Sequence, residues 1–298
     1  MLVIERDYAV GVMSANNAPA AHCKDGDIVE FVTRDCFDDC IVSETGPMLP
    51  HKQFSNPVIG PLYIEGAEPG DVLKVDILKM EVADTGIIRT TPGCAPFDDI
   101  VTEKLPRIYQ IRDNKIIFDD KLSLDLDIMI GCIGTAPAGE DIDTKTPGKH
   151  GGNMDCRKIT QGCSLYLPVT TPGALFCLGD LHAKMADGEV ASCGMECRGR
   201  VQVQVHVLKN VDLPTPMVVD DTHMMTIQSE PTLDEASVTA SRAMRDFLVK
   251  SCGLDSIGAC MLLSLVGDLI VCQIVDPLMT VRMEVPLDVL ATYGVKLP

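Results

Sequence analysis

The sequence predicts a mainly β protein with an α+β C-terminal part, and three observations carry that expectation. Short runs rich in β-branched residues, punctuated by Gly, Pro, Asn and Asp, recur along most of the chain. Long helical periodicity is confined to residues 232–267. A strand, Pro-Gly turn, strand pattern occurs twice at an offset of 103 residues, in "LYIEGAEPGDVLKVD" (62–76) and "LYLPVTTPGALFCLG" (165–179).

Taken in order, "DIVEFVT" (27–33), "DVLKVDILKMEV" (71–82), "KIIFDDKLSLDLD" (115–127), "RVQVQVHVLK" (200–209) and "LIVCQIV" (269–275) read as strands. In "RVQVQVHVLK" Val alternates with polar residues, so one face is buried and the other carries Gln202, Gln204 and His206. The paired Pro-Gly turns, 69–70 and 172–173, fit because Pro presets φ and Gly accepts a positive φ next to it. "TLDEASVTASRAMRDFLVKSCG" (232–253) reads as a helix opened by a Thr232 cap and closed by Gly253, with Val238, Met244, Phe247 and Leu248 near one face. A second helix is expected over 256–267. The run of turn-formers "TAPAGEDIDTKTPGKHGG" suggests a soft boundary near 140. It would separate an N-terminal β unit (1–140) from a second β unit with the C-terminal helices (141–298), unless the chain is one compact unit.

The 298 residues carry a formal net charge of −18, with 46% hydrophobic and 23% charged side chains and no Trp. Such a field repels phosphate backbones and anionic lipid, which argues against nucleic acid and membranes as partners and leaves neutral small molecules and cations. Glu5, Arg6 and Asp7 occupy the place where a signal peptide needs its apolar stretch. The most apolar run (257–275) contains Asp268 and two glycines, which suits a buried helix followed by a strand. Thirteen cysteines without a CxxC pair point to free thiols and a cytoplasmic location. Cys36/Cys40 and Cys193/Cys197 have zinc-compatible spacing but no matching second pair, so a structural zinc is not expected from them.

Chemistry-bearing residues concentrate between 150 and 196. "GDLHAKMADGE" (179–189) brings Asp180, His182, Asp187 and Glu189, "KHGGNMD" brings His150 and Asp155, and Glu196 follows. Asp180 and His182, two apart in a strand, project to the same side. Any one of these acids beside a glycine is an ordinary turn residue, and Asp187-Gly188 reads as a hairpin turn. Jointly, imidazole and carboxylates suit a divalent cation with an open position for water, zinc foremost and calcium as the alternative. His22, His206 and His223 read as solvated or locally satisfied side chains.

The blocks "GPLYIEGAEPGD", "MIGCIGTAPAGE", "PGKHGGNMDCR", "LYLPVTTPGALFCLGDLHAKMADGE" and "SLVGDLIVCQIVDPLMTVRMEVP" resemble the acetamidase/formamidase family in its shorter bacterial and archaeal form. The resemblance runs from about residue 51 to near the C-terminus. It implies hydrolysis of short amides to ammonia and a carboxylate, jelly-roll-like and barrel-like β units with a small α/β element, and a homo-oligomer, dimer or higher. On that basis Asp155, Asp180, His182 and Glu196 form the expected ligand pool. Glu189 or Asp187 is the expected base, and His150 and His51 would orient substrate or stabilise the oxyanion. Two positions depart from the family pattern: Met185 stands where Gln is expected and Ala186 where Gly is expected. Met cannot offer a substrate amide the hydrogen bonds of Gln. Alternatives are a cysteine acyl-enzyme through Cys156 or Cys163, a non-catalytic small-ligand-binding protein on the same scaffold, and an assembly protein built on the 257–275 seam.

Overall fold

The computed structural model of the chain describes residues 1–50, 52–93 and 96–298. Among them, one nine-stranded sheet runs in the order Leu2–Ile4, Ile28–Val32, Gly199–Leu208, Val72–Val82, Ser164–Pro168, Met217–Val219, His223–Glu230, Met279–Pro286, Asp268–Gln273. A second sheet has Phe176–His182 at its centre. That strand pairs with Met129–Gly134 on one side, and with Val58–Ile64 and then Glu196–Cys197 on the other. Beyond Glu196–Cys197 the sheet continues as an arm through Thr85–Arg89, Pro106–Arg112, Lys115–Ile117 and Ser123–Asp125.

The two sheets share one apolar core. Phe31, Leu73, Val75 and Leu165 come to it from the first sheet, and Ile59, Leu62, Ile130, Phe176 and Leu178 from the second. Phe31 and Phe176 meet edge to face with ring centroids 5.7 Å apart. The alternation read in the Val-rich strand holds: Val201, Val203 and Val205 are buried while Gln202, Gln204 and His206 are half-buried. Residue 166 faces the opposite way from 165 and 167, so Tyr166 joins a second core under the helices.

That second core is capped by α1 (Leu233–Cys252) and α2 (Ser256–Val266). The Thr232 hydroxyl accepts from the Glu235 amide at 3.2 Å, and Gly253 ends α1 with φ 67°. Its buried stripe is Ala236, Ala240, Met244, Phe247 and Leu248; Val238 lies outside it and is exposed. Small alanines, which the periodicity reading passed over, carry the stripe because they let the helix approach the sheet closely. The apolar run 257–275 divides, as expected, into α2 and the strand Asp268–Gln273. Residues 115–127 form two strands, Lys115–Ile117 and Ser123–Asp125, instead of one. The turn between them is tied by the Asp119 carboxylate accepting from the Lys121 and Leu122 amides. No single described helix is long and apolar enough to cross a membrane.

The sequence echo is a pair of interlocked units. Val72–Val82 pairs with Ser164–Pro168 in the first sheet, and Val58–Ile64 with Phe176–His182 in the second. Each Pro-Gly turn thus carries the chain from one sheet to the other, and each unit supplies the other's neighbour strand. Both sheets draw strands from either side of residue 140. At the second turn Gly173 has φ 74°, and a Cβ there would stand 2.3 Å from the Tyr63 ring of the first unit.

Gly173→Ala is therefore expected to cost about 2–4 kcal/mol, combining left-handed strain with overpacking. Tyr63→Ala in the same background should return the packing share while leaving the strain. A double-mutant cycle of urea midpoints reads this coupling, and strict additivity would contradict it.

Candidate metal centre

The centre of the second sheet is where four of the sequence-predicted residues converge. His182 and Glu196 are direct cross-strand partners, and their Nε2 and Oε1 atoms are 3.0 Å apart. From the same Nε2, Asp180 Oδ1 is 3.6 Å and Asp155 Oδ1 3.9 Å away. Glu189 joins from the 183–195 connection, its carboxylate within 4.8 Å of donor atoms of Asp155 and His182. All five side chains are buried.

The backbone is strained to aim them. Asp155, Asp180 and Glu189 have φ of 43°, 59° and 46°, in the left-handed region that costs an ordinary residue about 1 kcal/mol or more. Gly131 stands opposite Asp180 in the register set by Ile130↔Leu181 and Cys132↔Gly179. A Cβ on it would lie 2.5 Å from Asp155 Oδ1 and 2.7 Å from Asp180 Oδ2, so only glycine leaves room for both carboxylates. Gly194 does the same for the His182 ring, where a Cβ would approach Nδ1 to 2.5 Å.

Hydrogen bonds complete only part of the cluster. Asn56 Nδ2 donates to Asp180 Oδ2 (3.0 Å) and to Asn153 Oδ1 (2.7 Å), and Asn153 Nδ2 donates to Asp276 Oδ2 (2.8 Å). The Cys193 thiol donates to Glu196 Oε1 at 3.4 Å. Both oxygens of Asp155, Asp180 Oδ1, Glu189 Oε2, Glu196 Oε2 and both ring nitrogens of His182 have no hydrogen-bond partner. Buried polar atoms are rarely left so, and this many converging acceptors is the signature of a ligand.

Electrostatics agree. Burial pushes the carboxyls of Asp155 and Glu189 well above the usual range, and those of Glu196 and the half-buried Asp276 up to about 7. Against burial, Glu196 and Asp180 raise the His182 imidazole well above its ordinary value. Burial also works against the Asp180 carboxylate, but His182, Glu196 and Asn56 outweigh it and lower its pKa. Two groups could hold a cation: Asp155, His182 and Glu189, and beside them Cys36, Asp180 and Glu196. A divalent ion offers what these residues lack, a positive charge that satisfies several oxygens at once, so the donor set fits one.

The other sequence-predicted residues lie elsewhere or are already engaged. Asp187 is gripped by the buried Arg282, Nη1 to Oδ1 at 2.5 Å and Nη2 to Oδ2 at 3.0 Å, and Arg282 Nε reaches Glu284 Oε1 at 2.6 Å. Gly188 donates its amide to the Cys272 carbonyl at 2.8 Å, so Asp187-Gly188 is a pinned point of a long connection, not the tip of a tight hairpin. The His150 ring packs against Gly148 and Gly152 and lines a separate cavity of about 670 Å³; it makes no hydrogen bond or ion pair with the cluster. Burial lowers its pKa to about 4, which keeps it neutral. His51 lies outside the described residues. Cys163 sits in the main core with its thiol pushed up to about 12 by burial; Cys156 lies in the same core with its thiol lowered by Cys272 and Arg282, and neither belongs to the groups that converge on the centre. His22 stacks on Tyr63, His206 faces Asp25 and Asp76, and His223 bonds Thr222, all local roles.

Sequence reasoning missed Asn56, Asp276, Cys36, Cys193 and Gly131. Asn56 and Asp276 each precede a proline, a pattern that ordinarily signals only a turn. Cys36 and Cys193 belong to the two CxxxC pairs, but each pair sends only one thiol to the centre.

Comparison with known proteins gives a consistent result. The family profile described as "Acetamidase/Formamidase family" matches residues 93–236. The fold superimposes on an acetamidase from Bacillus halodurans with TM-score 0.95 and 41% identity, covering 99% of this chain and 100% of that one. It superimposes equally, at TM-score 0.95 and 39% identity, on a predicted acetamidase/formamidase from Thermoanaerobacter tengcongensis, covering 99% of each chain. A formamidase of Methylophilus methylotrophus is 26% identical over 208 residues, 51% of either chain. The chain spans about half the length, or less, of the curated relatives it matches.

Because Glu196 holds a proton up to about pH 7 without a cation, loading must displace it, and affinity should fall as pH drops through 7. Adding Zn²⁺ to metal-free protein at pH 6 is expected to release at least about one proton per chain, read by calorimetry in buffers of different ionisation enthalpy. Gly131→Ala should cut bound metal at least about tenfold with the β circular-dichroism signal retained.

Proposed function

The chain belongs to the acetamidase/formamidase family, and from that premise we propose that it hydrolyses the C–N bond of a linear amide, releasing ammonia and a carboxylate. The observation that carries this reading is the convergence of Asp155, Asp180, His182, Glu189 and Glu196, buried and with unpartnered donor atoms. Asp155, Asp180, His182 and Glu196 would hold a divalent cation. An imidazole among carboxylates suits zinc, and calcium is the alternative if oxygen donors dominate. When bound, the cation polarises a carbonyl and lowers the pKa of water.

The chain's own residues supply the proton traffic. Glu189 has a free Oε2 at the edge of the cluster and a carboxyl whose affinity for a proton is raised by burial. It would accept the proton of the attacking water and deliver it to the departing nitrogen, since ammonia leaves only once that nitrogen is protonated. Asp187 is the poorer base because Arg282 engages both its oxygens; its part is to pin the connection that carries Glu189. His150, neutral and with a free Nε2, lines the separate cavity, so the substrate-orienting role read from the sequence would require substrate to approach from that side. A homo-oligomer, dimer or higher, belongs to the same reading and is supported by the outward apolar side chains Ile257, Met261 and Leu265 of α2. Thirteen cysteines without a CxxC pair support a cytoplasmic location.

Met185 favours a second reading, a ligand-binding protein without turnover. Its thioether lines the cavity beside Glu189, where the family pattern expects an amide side chain.

Elemental analysis paired with an ammonia assay on formamide, acetamide and propionamide separates the readings. His182→Ala should lose both metal and ammonia release. Glu189→Gln should keep the metal and lose roughly 10²–10⁴-fold in kcat. Full turnover by metal-free protein would end the metal-assisted mechanism.

A further inference from the structure

The wall of the metal centre is also the wall of a cavity of about 290 Å³ lined by Glu189, Cys193 and Gly194. A Cβ on Gly194 would stand 2.5 Å from His182 Nδ1, so this part of the lining lies directly against the buried cluster. Its far side is apolar. Ile116 and Met195 are core residues of the arm, Ile88 and Leu124 pack against them half-buried, and Phe118 and Val190 stand at the exposed rim. The Phe118 ring is held nearly parallel to Tyr109, centroids 5.4 Å apart, so that side of the rim is fixed in shape. Met185, buried, adds a thioether to the lining. Among the described residues its charged lining side chains are Lys184, Asp187 and Glu189, and Arg282 already engages Asp187.

We infer that this cavity is an acyl subsite, and that the substrate is a primary amide bearing an unbranched apolar chain of several carbons. The inference rests on the amidase reading. Glu189 belongs to both the cluster and the cavity lining, so an amide whose carbonyl approaches the cluster beside Glu189 would place its nitrogen or its acyl group in this space. The lining offers a nitrogen almost nothing to bond with and a hydrocarbon chain a close-packed surface. Formamide has no carbon beyond its carbonyl to fill it and leaves apolar walls in contact with water. Each methylene moved from water onto those walls should raise kcat/KM about fourfold until the cavity is full. At about 290 Å³ it is at the small end of ligand sites, which matches a short chain and not a lipid.

The test is a kcat/KM series over formamide, acetamide, propionamide, butyramide and pentanamide, with calorimetric binding of pentanamide alongside. The expected result is a rise of about fourfold per methylene from acetamide onward. Ala186→Trp and Val190→Trp, both at exposed rim positions, should each cut the pentanamide-to-formamide ratio at least about tenfold. Turnover of formamide or acetamide with flat or falling values for longer amides would overturn the inference and leave the amidase reading intact. If no amide turns over, yet pentanamide binds the wild type and not Ala186→Trp, the subsite stands and the amidase reading falls. Absence of pentanamide binding by the wild type overturns the subsite.

Discussion

Like charge crowded into a space without water is the constraint on which the rest of this structure depends. Asp155, Asp180, Glu189 and Glu196 are buried around one imidazole, with Asp276 half-buried behind Asn153. Unneutralised carboxylates at these separations repel strongly, and burial makes each one costlier to ionise. The cluster persists because the fold over-determines it. His182 and Glu196 are locked in register by the strands that carry them, and Asn56 and Asn153 hold the second row. The three left-handed acids are the local cost of this arrangement, absorbed by a core that both sheets share.

The connection from 183 to 195 shows how such a site is supported from outside. It leaves the central strand at His182 and returns at Glu196, so both its ends are ligand candidates. Its middle is held by the Gly188 amide on the Cys272 carbonyl and by Arg282, a fully buried guanidinium on the strand Met279–Pro286. Val281, Met283 and Val285 of that strand face the helices, which sends Arg282 and Glu284 to the other side, where Asp187 meets the guanidinium. Breaking such a pair leaves a buried charge uncompensated, which is why it positions the loop firmly. The C-terminal α+β part thereby acts on the centre through this ion pair, through Cys272, whose carbonyl accepts from the Gly188 amide, and through Asp276, which accepts from Asn153.

Regular structure was legible in the sequence wherever a strong period coincided with burial. The Val-rich strand, the capped helix α1 and the two Pro-Gly turns follow directly from alternation, caps and φ preferences. Where a tight turn interrupts a period, as at 119–122, the same reasoning merges two strands into one. Where small residues do the packing, as on α1, it follows the large side chains and assigns Val238 to the wrong face. The echo was readable as repetition, but the exchange of strands between its two copies was not, because pairing partners are set by contacts about a hundred residues apart.

The sequence alone determined which residue types were available for chemistry: an imidazole and carboxylates set among glycines in two blocks between 150 and 196. Composition and local geometry are encoded residue by residue, so that much can be read without coordinates. Only the tertiary structure decided which of them share a cavity, separating Glu189 from the Arg282-bound Asp187 and setting His150 in a different cavity. It also brought in Asn56, Asp276, Cys36 and Cys193 from distant segments, and revealed Gly131 as the gap that lets two carboxylates meet. Proximity across sheets depends on register and on the packing of both faces at once, and no local pattern carries that information.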